Sequence, residues 1–328
     1  MEGTRIVHLL RRALTWEAWL LITVVLCVLV LSVVVEGFWQ PSTMFSISKT
    51  FVLLGIIAVG QGLVMLSGGI DLTVGSTFGF AGIILATLHY FGYGFEVTLF
   101  AGLAAGCCIG LINGLLVSKL GFKPFIATFG MLAIIRAVGY LTYQVVTKNL
   151  GGASVMGTIW TTLASWRSPL WLPPSFLILI AFAVGVWLLM KRTRFGLWAS
   201  GTGGNLDAAR AVGVPVHKVR ILTYVICGAL AAVAGMLGTG NLQSVGYSDG
   251  AGMELTSIAA VIIGGASLAG GSLSIVGTLL AVLLIVTIVT GVAIMGVEPY
   301  YQGIVTGLTV LLALVLTRLS FRKQYAGD

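Results

Sequence analysis

Between Glu17 and Glu36 the chain carries no charged residue, and what fills the gap is almost wholly Leu, Val, Ile, Trp and Ala. Crossing a hydrocarbon layer of about 30 Å takes roughly 20 such residues in a helix. Runs of this kind recur along the chain. They can be read as ten spans: 17–36, Phe51–Ser67, Val74 to about Tyr90, Val97–Ser118, Pro124 to about Val146, Ser175–Met190, Ile221–Gly240, about 254–267, Ile275–Met295 and Tyr300–Leu319. The second, third and eighth are short and rich in glycine, which leaves broken or re-entrant helices open there. The expectation is an all-α integral membrane protein of about ten transmembrane helices.

Composition agrees with this. Lys, Arg, Asp and Glu together make 9% of 328 residues, 58% are apolar, and the mean hydropathy is +1.07. A water-soluble chain with that balance has too little polar surface to cover itself. A cytosolic enzyme, a disordered chain and a nucleic-acid-binding domain are thereby excluded. Glycine, at 45 residues, is in excess, as expected where helices approach closely in lipid.

The net charge of +8 is explained by orientation. Ten spans put both termini on one side. That side collects Arg5, Arg11, Arg12, Lys119, Lys123, Lys191, Arg192, Arg194, Arg210, Lys218, Arg220, Arg318, Arg322 and Lys323, against Lys49, Lys148 and Arg167 on the other. Positive residues concentrate on the cytoplasmic face, so both termini are expected there. The first apolar run ends in Glu36-Gly37-Phe38-Trp39 without a small-residue cleavage site, so it reads as a retained helix rather than a signal peptide. The longest segments outside the spans, 147–174 and 191–220, are too short for a globular domain, giving one transmembrane domain over 1–328 with a cytoplasmic loop at 191–220.

Catalytic and metal signatures are scarce. Cys27, Cys107, Cys108 and Cys227 lie in apolar runs without Cys-x-x-Cys spacing, and His8, His89 and His217 are scattered, so neither a metal nor a redox site is expected. There is no Gly-x-x-x-x-Gly-Lys-Ser/Thr for nucleotide phosphates. Gly265-Ala266-Ser267-Leu268-Ala269 resembles a nucleophile elbow but ends in Ala, and no histidine is near it in sequence.

Three segments stand out. Gly68-Gly69-Ile70-Asp71-Leu72-Thr73-Val74-Gly75-Ser76 matches 264–272 at five of nine positions with an offset of 196, which suggests an internal repeat of helix-breaking turns. Asp71 is expected either to cap the next helix through backbone N–H groups or to meet a solute. In the loop 191–220, Gly203, Gly204 and Asn205 precede a short helix with Asp207 in its first turn and Arg210 in its last, as the helix dipole favours. Gly213 and Pro215 stop it, and its small residues Ala208, Ala209 and Ala211 offer a smooth face to a partner. The third segment runs from Leu255 through Gly264-Gly265 to Gly271-Ser272 and Thr278.

In this order, the three segments resemble the membrane-spanning permease subunit of ribose-type ATP-binding-cassette importers, over roughly 45–318. Leu206-Asp207 stands where that family usually has Pro-Glu, and Ser272 where it often has a basic residue. The resemblance implies a pore subunit of an ATP-driven importer for a small polar solute, most simply a monosaccharide or related polyol, in the bacterial cytoplasmic membrane. It implies a cytoplasmic ATP-binding subunit docked at Gly203, Gly204, Asn205, Asp207, Ala208, Ala209, Arg210 and Gly213. It also implies a second permease copy or paralogue, and a periplasmic or lipid-anchored solute-binding protein. ATP and magnesium would sit on the partner, leaving this chain without a cofactor and without catalysis.

A nucleoside or another small non-sugar solute stays open. An ion-coupled secondary transporter is disfavoured, because such proteins place carboxylates mid-span, whereas Glu36, Glu96, Asp249, Glu254, Glu298, Asp71 and Asp207 fall at span ends. Candidate groups along the path are Gln61, Asp71, Asn113, Arg136 and Asn241, with Gln144 and Gln302 as further polar residues in apolar surroundings. For Gln61, Asn113, Gln144, Asn241 and Gln302 the alternative to lining the pore is interhelical hydrogen bonding. Arg136, about 16 Å along the helix from Phe125 at 1.5 Å per residue, is expected to face the protein interior and to bond backbone carbonyls or a carboxylate, with direct solute contact and a place nearer the interface left open.

Overall fold

The computed structural model describes residues 15–150, 154–166, 168, 171–297, 301, 304, 307 and 308. Most of the tenth expected span, together with Gln302, Glu298, Arg167 and the basic residues of both terminal tails, lies outside the described residues.

Twelve helices follow one another among the described residues, joined by turns and one isolated bridge between Ser154 and Ser244. They are α1 (Trp16–Val34), α2 (Pro41–Leu66), α3 (Val74–Tyr90), α4 (Phe95–Ser118), α5 (Pro124–Leu150), α6 (Ile159–Ser165), α7 (Ser175–Arg192), α8 (Arg194–Gly204), α9 (Leu206–Ala211), α10 (Val216–Leu242), α11 (Met253–Ile263) and α12 (Ile275–Ile294). Seven of them, α1, α2, α4, α5, α7, α10 and α12, are long and apolar enough to cross a membrane. The second span is therefore longer than its apolar core suggested, because Pro41 at its first turn presets the backbone and the polar stretch 42–50 stays helical. At 17 and 11 residues, α3 and α11 extend about 26 and 16 Å, so α11 falls well short of the bilayer.

Two apolar cores share α2. One contains Val52, Ile56, Leu63, Phe78, Leu179, Tyr224 and Met236, and the other Leu20, Val24, Leu54, Ala58, Met65, Val261 and Ile285. Positions 52, 56, 59 and 63 of α2 enter the first and 47, 54, 58 and 65 the second. A helix apolar on every side is a helix buried on every side. By contrast α1, α5 and α7 turn large apolar side chains outward, Val33, Phe129, Leu141 and Leu177 among them, the surface that lipid rather than water accepts.

The centre of the first core is α10, which packs against α2, α3, α4 and α6. Its contact with α4 is made through a stripe at Gly102, Gly106, Gly110 and Gly114, one glycine per helical turn. In antiparallel register these face Met236, Gly228 with Ala232, Tyr224 with Val225, and Ile221. A Cβ at Gly106 would strike the Gly228 carbonyl, and one at Gly110 the Tyr224 carbonyl. Without the Cβ atoms the two backbones close to direct contact, the small-residue mode of helix packing in membranes.

This contact has a measurable consequence. Gly110→Val drives a Cβ bearing two methyl groups into the α10 backbone, an overpacking that costs about 1–3 kcal/mol or more. The expected result is a large loss of monodisperse, membrane-extracted protein in fluorescence-detected size exclusion. Gly130→Ala, at a position with nothing within 4 Å of the added carbon, leaves the profile unchanged.

Candidate functional site

The α2–α3 connection and the α11–α12 connection are both breaks in helices that pack inside the molecule. Both helices end in the same way. Gly68 and Gly265 sit just past the last turn at φ +79° and +95°. Gly68 N–H donates to the Met65 carbonyl and Gly69 N–H to that of Val64. Gly265 N–H donates to the Ile262 carbonyl and Ala266 N–H to that of Val261. This is the Schellman cap, and its left-handed position favours glycine. The short helix α9 closes in the same way through Gly213.

The internal similarity is thus real at the level of caps, but its register differs from the sequence match. The caps align Gly68 with Gly265, an offset of 197, whereas the helices that follow begin at Val74 and Ile275, an offset of 201. At the matched pair Leu72 and Leu268, the first is buried and the second exposed. The second connection carries extra residues, and they are used to reach the first.

They reach it through α8. A Cβ built on Gly270 would lie 2.8 Å from Gly203 Cα and 2.9 Å from Gly68 Cα. Gly271 N–H donates to the Leu66 carbonyl at 3.0 Å, and the Ser200 hydroxyl donates to the Gly271 carbonyl. A Cβ on Gly203 would strike both the Leu66 oxygen and the Gly271 nitrogen. Three backbones, from the end of α2, the end of α8 and the 264–274 connection, therefore meet in one glycine junction. The second connection is also held from α1: Trp16 Nε1–H donates to the Ile263 carbonyl at 2.9 Å, and the Ser274 hydroxyl to the Glu17 carboxylate at 3.0 Å.

Further carbonyls of the first break find side-chain donors. Arg220 Nε–H donates to the Ser67 carbonyl (3.3 Å), and Tyr224 and Thr128 hydroxyls to that of Ile70 (3.1 and 3.3 Å). With its amide oriented to suit, Gln61 donates to the Asp71 carbonyl at 3.0 Å and accepts from the Asp71 N–H at 3.2 Å. Asp71 Oδ1 accepts from Thr73 N–H (2.8 Å), the Thr73 hydroxyl (2.6 Å) and Asn113 Nδ2 (3.3 Å). Asn113 Nδ2 also donates to Thr73 Oγ1 at 2.9 Å. Gln61, Asp71 and Asn113 are wholly buried. The structure thus joins three of the five path candidates into one closed network at the α2–α3 break.

The other two stand apart. Arg136 Nη1 donates to the Asp249 carbonyl at 3.1 Å, beside Gly79 of α3, so it faces the protein and satisfies an irregular segment, 243–252. Asn241, near the end of α10, accepts from the Ser165 hydroxyl at 3.5 Å. Gln144 Nε2 donates to the Tyr140 hydroxyl.

In the loop 191–220 the expected helix is present as α9. Asn205 Oδ1 caps it by accepting from Ala208 N–H at 2.9 Å, and Asp207 and Arg210 pair at 3.6 Å. One expectation is corrected. Ala209 is buried rather than part of an outward face, because the tight Gly213 turn folds Val214 back so that its N–H bonds the Ala209 carbonyl. The outward face is made instead by Asp207, Ala208, Arg210, Ala211 and Val212.

The family described as branched-chain amino acid transport system / permease component matches residues 43–314. The chain belongs to this family. The permease is also similar to the ribose import permease protein of Escherichia coli (strain K12), 34% identical over 308 residues, covering 92% of this chain and 94% of the relative. It is 31% identical over 318 residues to the galactofuranose transporter permease protein of the same organism, covering 94% and 91%. It is 31% identical over 301 residues to the fructose import permease protein of Rhizobium meliloti, covering 90% and 83%. The permease is a transporter pore subunit and not a catalytic enzyme; the ATPase is a separate subunit.

Several residues of the junction were not singled out from sequence. Arg220 counted only as a cytoplasmic charge, and Tyr224 and Ser67 as parts of apolar spans. The four-residue spacing of Gly102, Gly106, Gly110 and Gly114 was visible and points to the α4–α10 contact.

The junction predicts opposite outcomes for adjacent glycines. Gly203→Ala forces the α2 and 264–274 backbones apart and should abolish uptake in vesicles. Gly204→Ala, whose nearest contact is 3.9 Å away, should transport at close to the wild-type rate at equal membrane abundance.

Proposed function

We propose that this permease forms, with a second copy or a paralogue, the translocation pore of an ATP-driven importer for a monosaccharide or related polyol. The observation that carries the solute class is the agreement among relatives named for ribose, galactofuranose and fructose, each aligned over most of both chains. The scarcity of charge in the apolar spans supports a neutral solute. A branched-chain amino acid is the second reading, favoured by the family's own description.

In this reading the chain is one transmembrane domain of about ten spans, with both termini and the loop 191–220 in the cytoplasm of a bacterial cell and the whole in its inner membrane. The outward face of α9 docks on the ATP-binding subunit, which holds ATP and magnesium. Docking there would be felt at once in the breaks, because Gly203 lies in the last turn of the helix just before α9 and touches both connections. A periplasmic or lipid-anchored binding protein delivers the solute to the outer face. Gln61, Asp71 and Asn113 shape the α2–α3 break rather than bare a wet surface, and Arg136 holds the outer segment 243–252.

Uptake by the assembled complex in proteoliposomes tests the solute. Ribose, galactose, fructose and leucine are offered in turn with ATP inside. Accumulation of a sugar and not leucine is expected; leucine uptake alone would overturn the reading. Docking is tested with Asp207→Lys combined with Val212→Asp, both on exposed positions. The pair should abolish ATPase co-purification and uptake while membrane insertion persists, and a normal complex would refute the docking face. Topology is tested in a cysteine-free background: an impermeant thiol reagent added outside intact cells should label Ser154→Cys and Ser248→Cys and spare Arg210→Cys. The reverse pattern would refute the orientation.

A further inference from the structure

Asp71 presents an imbalance within its network. Its Oδ1 accepts three hydrogen bonds, two from Thr73 and one from Asn113, while Oδ2 is buried with no partner. Asn113 Oδ1 is likewise buried without a partner. No basic side chain pairs with Asp71 among the described residues; the one ion pair there is Arg210 with Asp207. The groups around Asp71 are polar or weakly ionising. Gln61 bonds its main chain from α2, and the Tyr224 hydroxyl of α10 bonds the neighbouring Ile70 carbonyl. Asn113 faces it from α4, and Thr128 from α5 bonds the neighbouring Ile70 carbonyl. Arg220 spends its Nε–H on the Ser67 carbonyl. Glu254 of α11 stands against Gly75.

A carboxylate sealed in such a place has neither water nor a counter-ion to offset its charge, and the usual resolution is neutralisation. The amide orientation is set by the network itself. The Thr73 hydroxyl gives its single proton to Asp71 Oδ1, so toward Asn113 it can only accept, and the Asn113 atom facing it must be the NH2. That leaves the Asn113 carbonyl oxygen as a buried acceptor lacking a donor, on an amide bonded to a carboxyl group whose other oxygen lacks a partner. A carboxylic acid and a primary amide joined through N–H···O are complementary at their other ends too, O–H to C=O.

We infer that Asp71 is a proton-binding site: it is held as the neutral acid, with the proton on Oδ2 and the Asn113 side-chain carbonyl as its acceptor. One proton then satisfies both orphaned oxygens. Asp71 is a donor that ties α4 to the α2–α3 break, and it offers no charge to a solute or cation. The inference concerns the break itself and stands whichever solute the permease carries.

Two measurements test it on the full-length permease in its assembled complex. The first is the infrared difference spectrum of wild type minus Asp71→Asn at neutral pH. The carbonyl stretch of a protonated carboxylic acid is expected, and a carboxylate band in its place would overturn the inference. The second is a substitution series read as assembled complex and uptake rate. Asp71→Asn preserves a donor and an acceptor and should stay within a factor of about three of wild type, the average worth of one interhelical hydrogen bond in a membrane. Asp71→Leu strands the Asn113 amide and should lower assembled complex at least about fivefold. Loss of uptake in Asp71→Asn with assembly intact, or an uptake rate that depends on sodium in wild type and not in that variant, would show a working anion and overturn the proposal. If wild type carries none of the sugars offered, the solute assignment fails while the spectrum still decides the proton.

Discussion

Inside a bilayer every backbone N–H and C=O must find a partner within the protein, and this constraint shapes the α2–α3 break more than any other. A helix that stops there frees carbonyls that water cannot reach. Four carbonyls here are taken by donors brought to the break: Leu66 by Gly271, Ser67 by Arg220, Ile70 by Tyr224 and Thr128, Asp71 by Gln61. Those donors come from α2, α5, α10 and the 264–274 connection, so the break is also the point at which distant parts of the chain are tied together. A break with so many owners is held in one conformation and resists being merely loose.

The same requirement explains why glycine is concentrated where backbones cross. Along α4 and α10 the side chains are absent so that main chains touch, and at the junction of Gly68, Gly203 and Gly270 three of them do so at once. Contact between main chains has little slack. A displacement of α8 is therefore passed to the end of α2 and to the α11–α12 connection together, because interfaces this close cannot absorb it by rotating a side chain. For a pore subunit whose driving ATPase is another polypeptide, such a rigid path offers a way for a contact made near α8 to reach both broken helices. The Trp16 and Glu17 contacts extend that path to the first helix.

The polar network beside the junction follows a different logic. Gln61, Thr73 and Asn113 surround Asp71 with directional hydrogen bonds in a wholly buried site. Apolar packing tolerates small shifts, but a hydrogen-bond network of this kind accepts few geometries. It gives the α2–α3 break a definite shape on the side away from the glycine junction, and Arg136 does the same for the irregular segment 243–252.

Much of the architecture was legible in the residues alone, because hydrocarbon imposes length and composition on whatever crosses it. The starts of α3, α5, α7 and α12 fall at Val74, Pro124, Ser175 and Ile275, where the apolar spans begin in the sequence. The cap at Asn205 and the stop at Gly213 follow from local backbone chemistry. The expectation that Arg136 faces the protein followed from the cost of a charge in lipid. Local patterns could not determine which distant segments meet. The similarity between 68–76 and 264–272 was visible, but its register was not, because five coincident letters do not record four additional residues in a loop. Nothing near Arg220 or Tyr224 in the chain announces that their donors end on Ser67 and Ile70. The burial of Ala209 depends on the turn that follows it. The register of the second connection and the ends of the Arg220 and Tyr224 bonds are decided by tertiary structure, since a hydrogen bond or a backbone contact between segments more than 100 residues apart exists only once the helices between them have packed.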